Sequence, residues 1–279
     1  MKKRVLKIAA LLVAFALLGG LGYFANELLG NPISEAIAKN LVKEQLATTY
    51  ADTDYYMEDI RYSFKDGYYH AFIKSPSSID TEFTLMITKI GELRLDTYDD
   101  VRKGFRTAER LRQEYRQLAD TVFDSPTFPY KSDTGRAGAG LLEIYMEEEM
   151  NDPEATYVPS YAISYEELII DKIYDIKEVG KEAGCLSLHI VNEEVTAECA
   201  AEIMLDIRRR FDEADIPFRA MNFNLQYPIS KDGQRKEGEI RVHNFLYEDI
   251  MEKGMEDRVV EAHKALEEYY KELGAKGTK

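Results

Sequence analysis

The chain has 279 residues, which is enough for a membrane segment and one or two domains of ordinary size. Its 45% hydrophobic and 31% charged residues are typical of a globular protein and not of a disordered one. The formal charge of -15 argues against a nucleic-acid partner, because binding to phosphates requires clustered Lys and Arg. The same charge would repel an anionic bilayer surface, so the sequence also disfavours peripheral lipid binding by the water-soluble part.

The N-terminus has the pattern of a membrane helix. Lys2, Lys3, Arg4 and Lys7 precede an uncharged run from Ile8 to Ala25. Those 18 residues would form a helix about 27 Å long, close to the ~30 Å hydrocarbon core of a bilayer. Because basic flanks stay in the cytoplasm, the pattern predicts a single-pass anchor with a cytoplasmic N-terminus and an extracytoplasmic remainder. The bilayer, reached through Ile8 to Ala25, is the first predicted partner.

A cleaved signal peptide has the same basic start and apolar run. The small residues that cleavage requires are badly placed here. Ala14-Phe15-Ala16 lies inside the run, and Ala36-Ile37-Ala38 lies beyond it in a predicted helix. Retention as an anchor over residues 1–30 is therefore the favoured interpretation, and cleavage stays the alternative.

The sequence pattern predicts a first α+β unit over residues 31–125. Ser34 is placed to cap its first helix. Asp66-Gly67 between two alternating runs predicts a β-hairpin with a type I′ turn, in which both residues have positive φ, and two further strands follow. From Asp99 onward we expect one long helix with a single apolar stripe, made of Val101, Phe105, Ala108, Leu111, Tyr115, Leu118 and Val122.

Residues 126–162 are interpreted as a transition segment, and residues 163–279 as a second α+β unit. The transition contains a glycine patch at residues 135–140 and an acidic run at residues 147–149, with a short strand between them. In the second unit, Ser164 and Glu167 form a capping box that predicts a helix directly after Ser164. Thr196 is expected to open another helix. The overall prediction is the α+β class, with an N-terminal transmembrane helix followed by two antiparallel sheet-plus-helix units.

The strand from Arg219 to Tyr227 separates two kinds of side chain. Met221, Phe223 and Leu225 are predicted to face the core, because strand side chains alternate with period two. On the opposite face, we expect a row of amides that could serve as a binding surface or simply be a wet face; its members are Asn222, Asn224 and Gln226.

Reactive side chains form no recognisable catalytic motif. Cys185 and Cys199 are interpreted as buried thiols, with a disulfide as the alternative. The spacing of the four histidines, which are His70, His189, His243 and His263, matches no metal motif. Acidic clusters match no calcium loop and are interpreted as solvated surface. The sequence therefore predicts no catalytic residue, no cofactor-binding residue, no metal ligand and no cofactor.

Short segments spread over most of the chain resemble the YfjL-like family, which consists of uncharacterised membrane-anchored proteins of Gram-positive bacteria. The resemblance implies a membrane location and two units, and it implies no activity. The order of helix and antiparallel strands is also similar to PepSY-type domains, which are associated with protease inhibition and envelope regulation. The residues that carry the YfjL-like resemblance are Gly30-Asn31-Pro32, Asp66-Gly67-Tyr68-Tyr69, Ser75-Pro76, Asp80-Thr81-Glu82-Phe83, Leu111-Arg112-Gln113-Glu114-Tyr115, Ile207-Arg208, Phe211-Asp212 and Ile216-Pro217-Phe218.

Two functions from different classes remain open at this point. The leading hypothesis is a membrane-tethered, non-enzymatic binding or regulatory module at the cell envelope, with an envelope protein or peptide as its partner. The alternative is an envelope hydrolase whose catalytic residues are dispersed in sequence. A deep pocket with convergent carboxylates or histidines would favour the enzyme, and a shallow surface would favour binding.

Overall fold

The computed structural model describes residues 2–133, 140–147 and 159–276. Most of the predicted glycine patch and of the acidic run at 147–149 lies outside these residues. The chain divides into two compact units, residues 1–107 and residues 108–279. Each unit combines one main sheet with helices, so the predicted α+β class, with an apolar N-terminal helix ahead of two sheet-plus-helix units, is confirmed.

The first unit is an antiparallel meander with the strand order β1-β2-β3-β4. Helix α2 contacts β1 and β2, and its buried Ala38 and Val42 face a core that includes Tyr69 and Phe83. Along the chain its elements are α1 Lys2–Leu29, α2 Pro32–Thr48, β1 Tyr56–Ser63, β2 Tyr68–Lys74, β3 Glu82–Ile87, β4 Leu93–Asp96 and α3 Tyr98–Arg102.

Helix α2 begins earlier than its predicted cap at Ser34. The side-chain oxygen of Asn31 accepts a hydrogen bond from the Ser34 amide at 2.8 Å, and Pro32 occupies the first helical turn. Asn31 has the extended backbone of a cap residue, and proline is pre-organised for the start of a helix. The cap is therefore Asn31, and Ser34 is a buried residue inside the helix.

The predicted hairpin is confirmed, but its predicted turn type is wrong. Ser63 pairs directly with Tyr68, so residues 64–67 form a four-residue loop. Gly67 alone in this loop has positive φ, at 79°, and its amide donates to the Ser63 carbonyl at 2.8 Å. The Asp66 carboxylate instead accepts from the Tyr68 amide at 3.0 Å, which stabilises the loop without positive φ at Asp66.

The single long helix predicted from Asp99 is interrupted. Helix α3 ends at Arg102, Gly104 has a φ of 79°, and helix α4 then runs over Phe105–Phe123. A left-handed residue ends a helix, which explains the break. Leu111 and Tyr115, on the predicted stripe, are fully buried in the core of the second unit, so most of α4 belongs there and not to the unit predicted for 31–125.

The second unit has a four-stranded sheet with the order β10-β9-β8-β5. The pairs β10–β9 and β5–β8 are antiparallel, whereas β8 and β9 are parallel, so this sheet is not wholly antiparallel as predicted. Helix α6 supplies the crossover that a parallel pair requires. After α4 the elements are β5 Gly140–Ile144, β6 Met146–Glu147, β7 Ile163–Ser164, α5 Ile176–Ala183, β8 Gly184–Val191, α6 Ala197–Glu213, β9 Ala220–Gln226, β10 Glu239–Leu246 and α7 Met255–Lys276.

The capping box at Ser164 does not start an α-helix. A single 3-10 turn over Tyr165–Glu167 follows it, and the Ser164 side chain makes no capping hydrogen bond. The α-helix begins only after Asp175, whose carboxylate accepts from the Lys177 amide at 3.0 Å. By contrast, Thr196 caps α6 as predicted, accepting from the Cys199 amide at 3.1 Å.

The two faces of the second sheet differ in polarity. Met221, Phe223 and Leu225 of β9 are buried in one hydrophobic cluster with residues of α4 and α6, as the alternation predicts. Asn222 and Asn224 point the other way and are half-buried. One face of this sheet is therefore the core of the unit, and the other is polar.

Candidate ligand cleft

A cleft of about 380 Å³ lies over the polar face of the second sheet. His189, Asn224 and Arg241 are register neighbours on β8, β9 and β10, so their side chains form one row across three strands. Leu266 and Tyr270 of α7 form part of the wall. The alternation that buries Phe223 thus also aims Asn224 toward the cleft.

Three buried polar atoms in this row have no hydrogen-bond partner among the described residues; one of them, Arg241 Nε, lies 3.0 Å from the Glu239 carboxylate in an ion pair. The other two are Asn224 Oδ1 and His189 Nε2. Asp133 Oδ1 is 3.7 Å from His189 Nε2, but the Asp133 carboxylate is hydrogen bonded to Arg235 at 2.9 and 3.1 Å. An unsatisfied buried polar atom costs about 1–3 kcal/mol and is rare in native proteins. Asn224 Oδ1 and His189 Nε2 therefore mark a place in this row where a ligand would be stabilised.

Arg241 is the charged side chain among the described residues that line the cleft, and it is paired with a carboxylate. Arg241 lies 3.0 Å from Glu239 and 5.5 Å from the centre of the Tyr270 ring. His243 stands at the rim, where loss of solvation and then the charge of Arg241 lower the pKa of its imidazole. His243 is therefore favoured in its neutral form near neutral pH, leaving Arg241 as the fixed positive charge of the cleft.

The three predicted amides have different roles. Asn222 donates to Tyr145 Oη at 2.9 Å and accepts from the Asn244 amide at 2.8 Å, which holds the irregular part of β10 where Asn244 has a φ of 50°. Gln226 donates to Glu239 at 2.7 Å. Asn224 Oδ1 has no hydrogen-bond donor among the residues that the structure describes. Asn222 therefore has a structural role, and Gln226 hydrogen bonds to the carboxylate that pairs with Arg241. Asn224 is the amide of the three that is suited to binding a ligand.

Both cysteines are free thiols. Burial raises the pKa of Cys185 to about 11, so its thiol stays protonated and is a poor nucleophile. Cys199 is only half-buried, which differs from the buried position predicted for it, and it accepts a hydrogen bond from Asn192 at 3.1 Å. The disulfide alternative is not realised.

The remaining predicted polar residues do not converge on one centre. His70 contacts Asp66 in the first unit, and His263 bonds the Arg241 backbone at 3.1 Å from outside the cleft. Within the described residues, no group of three or more His, Cys, Asp or Glu side chains could hold a metal ion. Sequence reasoning found Asn224 from the alternation on β9, but it missed Arg241 and the pairing with His189, because only strand register brings them together.

These features define a mixed α+β protein whose N-terminal helix is long and apolar enough to cross a membrane. Models of the YfjL-like N-terminal domain and the YfjL-like C-terminal domain match residues 3–97 and 114–260. The chain therefore belongs to the YfjL-like family. No curated protein and no solved structure matches it.

Proposed function

We propose that this chain is a single-pass membrane protein whose two units lie outside the cytoplasm and act as a binding or regulatory module at the cell envelope. The basic residues ahead of the apolar run Ile8 to Ala25, at the start of α1, support this orientation. The family assignment is compatible with membrane association. The bilayer is reached through Ile8 to Ala25, and the second unit presents a ligand cleft.

This proposal is based on two buried atoms, Asn224 Oδ1 and His189 Nε2, that have no hydrogen-bond partner among the described residues. A peptide segment has the complementary groups, because its N–H donates to an amide oxygen while its carbonyl or carboxylate accepts from an arginine or an imidazole. Arg241 is placed in the same row to receive that carbonyl or carboxylate. Reorientation of the buried Asn224 amide toward such a peptide would replace an unsatisfied atom with a hydrogen bond, so the extracytoplasmic ligand is proposed to be a peptide or an exposed loop of an envelope protein.

Binding fits the cleft better than the alternative of hydrolysis. Ser187, whose aliphatic hydroxyl lines the cleft, donates to Glu143 at 3.2 Å and accepts from Asn222 at 3.3 Å. Among the described residues it has no imidazole partner to remove its proton, and Cys185 is a buried thiol. These groups support recognition and do not form an activated nucleophile.

Site-specific photocrosslinking in native membranes tests the cleft. Tyr269 and Tyr270 are both 46% exposed, but only Tyr270 lines the cleft. We expect a photoreactive phenylalanine analogue at 270 to capture a protein or peptide that the same analogue at 269 does not capture. The adduct should be lost in an Asn224→Ala, Arg241→Gln double variant. Equal capture at both positions, or an adduct that survives the double variant, would remove the cleft as the binding site.

Topology is tested separately. A reporter that is active only outside the cytoplasm, fused after Lys279, should be active, and the mature chain should retain its N-terminus. Recovery of a soluble chain that starts near Tyr23 or Lys39 would replace the anchor with a cleaved signal.

A further inference from the structure

Two loops of the first unit lie at the same end of its sheet. Tyr62 pairs with Tyr69, and Tyr69 pairs with Ile87, so the register places the ends of β1 and β3 beside the start of β2. The β1–β2 loop, residues 64–67, and the β3–β4 loop, residues 88–92, therefore leave the sheet at this end. We call it the α1 end, because the C-terminal turn of α1 is attached there.

Several contacts attach α1 to this end of the sheet. Tyr62 Oη donates to the Glu27 carbonyl at 3.1 Å, and Lys89 Nζ forms an ion pair with the Glu27 carboxylate at 2.7 Å. The ammonium of Lys89 also lies 5.1 Å from the centre of the Tyr62 ring. Gly30 permits this close approach, since a Cβ there would be 2.6 Å from Tyr69 Oη. These contacts therefore fix the C-terminal turn of α1 to the folded first unit.

The position of Glu27 along α1 indicates how deep the α1 end of the sheet would lie relative to a bilayer. Glu27 follows Ala25, the last residue of the apolar run, by two residues, which is about 3 Å along a helix. The headgroup layer on each side of the hydrocarbon core is about 5–7 Å thick. Tyr62 and Lys89, which touch Glu27, would therefore lie at headgroup level when Ile8 to Ala25 spans the membrane.

Large apolar side chains are exposed around this point. Phe64 in the β1–β2 loop is 62% exposed, Ile90 in the β3–β4 loop is 73% exposed, and Ile33 in the first turn of α2 is 75% exposed. Each loop also has a lysine next to its apolar residue, Lys65 beside Phe64 and Lys89 beside Ile90. An apolar side chain next to a lysine suits the boundary between acyl chains and headgroups, because the ammonium can reach outward to the headgroups.

We propose that the α1 end of the first sheet rests on the bilayer that α1 crosses, with Phe64, Ile90 and Ile33 inserted at its surface. This inference depends on the membrane anchor in the proposed function and adds a second contact with the same membrane. The net charge of -15 opposes electrostatic attraction to anionic lipid, so the driving force is burial of these apolar side chains. The occupant of the surface is the lipid of this membrane and not a protein partner.

The absence of tryptophan from the sequence makes a direct test available. Full-length variants with a single tryptophan, Phe64→Trp, Ile90→Trp, Ile79→Trp and Phe15→Trp, would be reconstituted into phosphatidylcholine vesicles with or without bromine on the acyl chains. Brominated lipid quenches a tryptophan that it contacts. Ile79 is the matched control, because it is 57% exposed in the loop between β2 and β3 at the opposite end of the sheet.

We expect brominated lipid to reduce the emission of the tryptophans at 15, 64 and 90 and to leave that at 79 unchanged. Quenching at 15 without quenching at 64 and 90 would overturn the surface contact while leaving the anchor in place. Loss of quenching at 15 would instead overturn the anchor and, with it, this inference. If the tryptophans at 64 and 90 are shielded from both bromine and a water-soluble quencher, the surface is covered by protein, which also overturns the proposal.

Discussion

Tyr69 and Asn31 are joined by two hydrogen bonds that share one hydroxyl group. The Asn31 amide donates to Tyr69 Oη at 3.0 Å, and Tyr69 Oη donates to the Asn31 carbonyl at 2.9 Å. Asn31 lies in the turn between α1 and α2, where it also caps α2. A single buried tyrosine of the sheet therefore bonds to both backbone groups of the residue at which the chain changes direction after the apolar helix, and its hydroxyl is the acceptor for the Asn31 amide.

Tyr69→Phe should destabilise the first unit. The ring remains 2% exposed and well packed, but the Asn31 amide loses its acceptor, while the Asn31 carbonyl keeps the hydrogen bond from the Glu35 amide at 3.0 Å. We therefore expect a loss of about 1–3 kcal/mol in the free energy of unfolding. Denaturant unfolding of the full chain in detergent, with hydrogen exchange at β2, would measure it. Tyr68→Phe is the control, because the Tyr68 hydroxyl makes no hydrogen bond to the described residues. Equal effects of both variants would show that the hydroxyl of Tyr69 is not important.

Gly67→Val should destabilise the hairpin through backbone strain alone. A Cβ at Gly67 would meet no atom within 4 Å, but its φ of 79° is unfavourable for a β-branched residue. We expect a cost of about 1–3 kcal/mol, measured as a lower melting temperature. Gly67→Asn should cost less, because asparagine tolerates the left-handed region. If valine and asparagine have the same effect, positive φ at residue 67 does not govern the loop.

The faces of β9 should respond differently to alanine. Phe223→Ala should cost about 3–5 kcal/mol, because it removes a buried ring and leaves a cavity. Asn222→Ala should also destabilise the fold, since the Asn244 amide loses its acceptor. Asn224→Ala should be nearly neutral, because the buried Asn224 oxygen has no partner among the described residues. Chemical denaturation of the three variants would check this order, and a large cost at Asn224 would contradict it.

Asp206 should stabilise the second unit in a pH-dependent manner. Partial burial raises the pKa of its carboxyl, but hydrogen bonds from two arginines and from Tyr130 outweigh burial and lower the pKa below its ordinary value. A lowered pKa in the folded state gives stability that is present above the unfolded-state pKa of about 3.9 and is lost as the pH falls through the folded-state pKa.

The variant Asp206→Asn should therefore be less stable than the unmodified chain at neutral pH, and the difference should shrink as the pH falls below about 4. Melting temperatures over this pH range would measure the difference. Glu202→Gln is the control, because Glu202 is exposed one turn earlier on α6. A difference between Asp206→Asn and the unmodified chain that is constant with pH would show that ionisation of Asp206 does not contribute.

Local patterns in the sequence were sufficient for much of the fold. The apolar run from Ile8 to Ala25, the alternation at Met221, Phe223 and Leu225, and the cap at Thr196 each depend on residues close in sequence. Side-chain periodicity and capping depend on residues within one or two turns of each other, so the type of each such element follows from its own residues. The prediction at Ser164 failed because a capping pattern does not by itself propagate a helix without packing of the following turns.

The tertiary structure decided the features that depend on pairing between strands far apart in the sequence. The parallel register of β8 and β9 brings His189 beside Asn224, and β10 then adds Arg241, although these residues lie far apart in the chain. The sequence by itself determined the apolar helix and the polar and apolar faces of β9. Strand order and register, which follow from the packing of the whole unit, decided which polar side chains share one cleft.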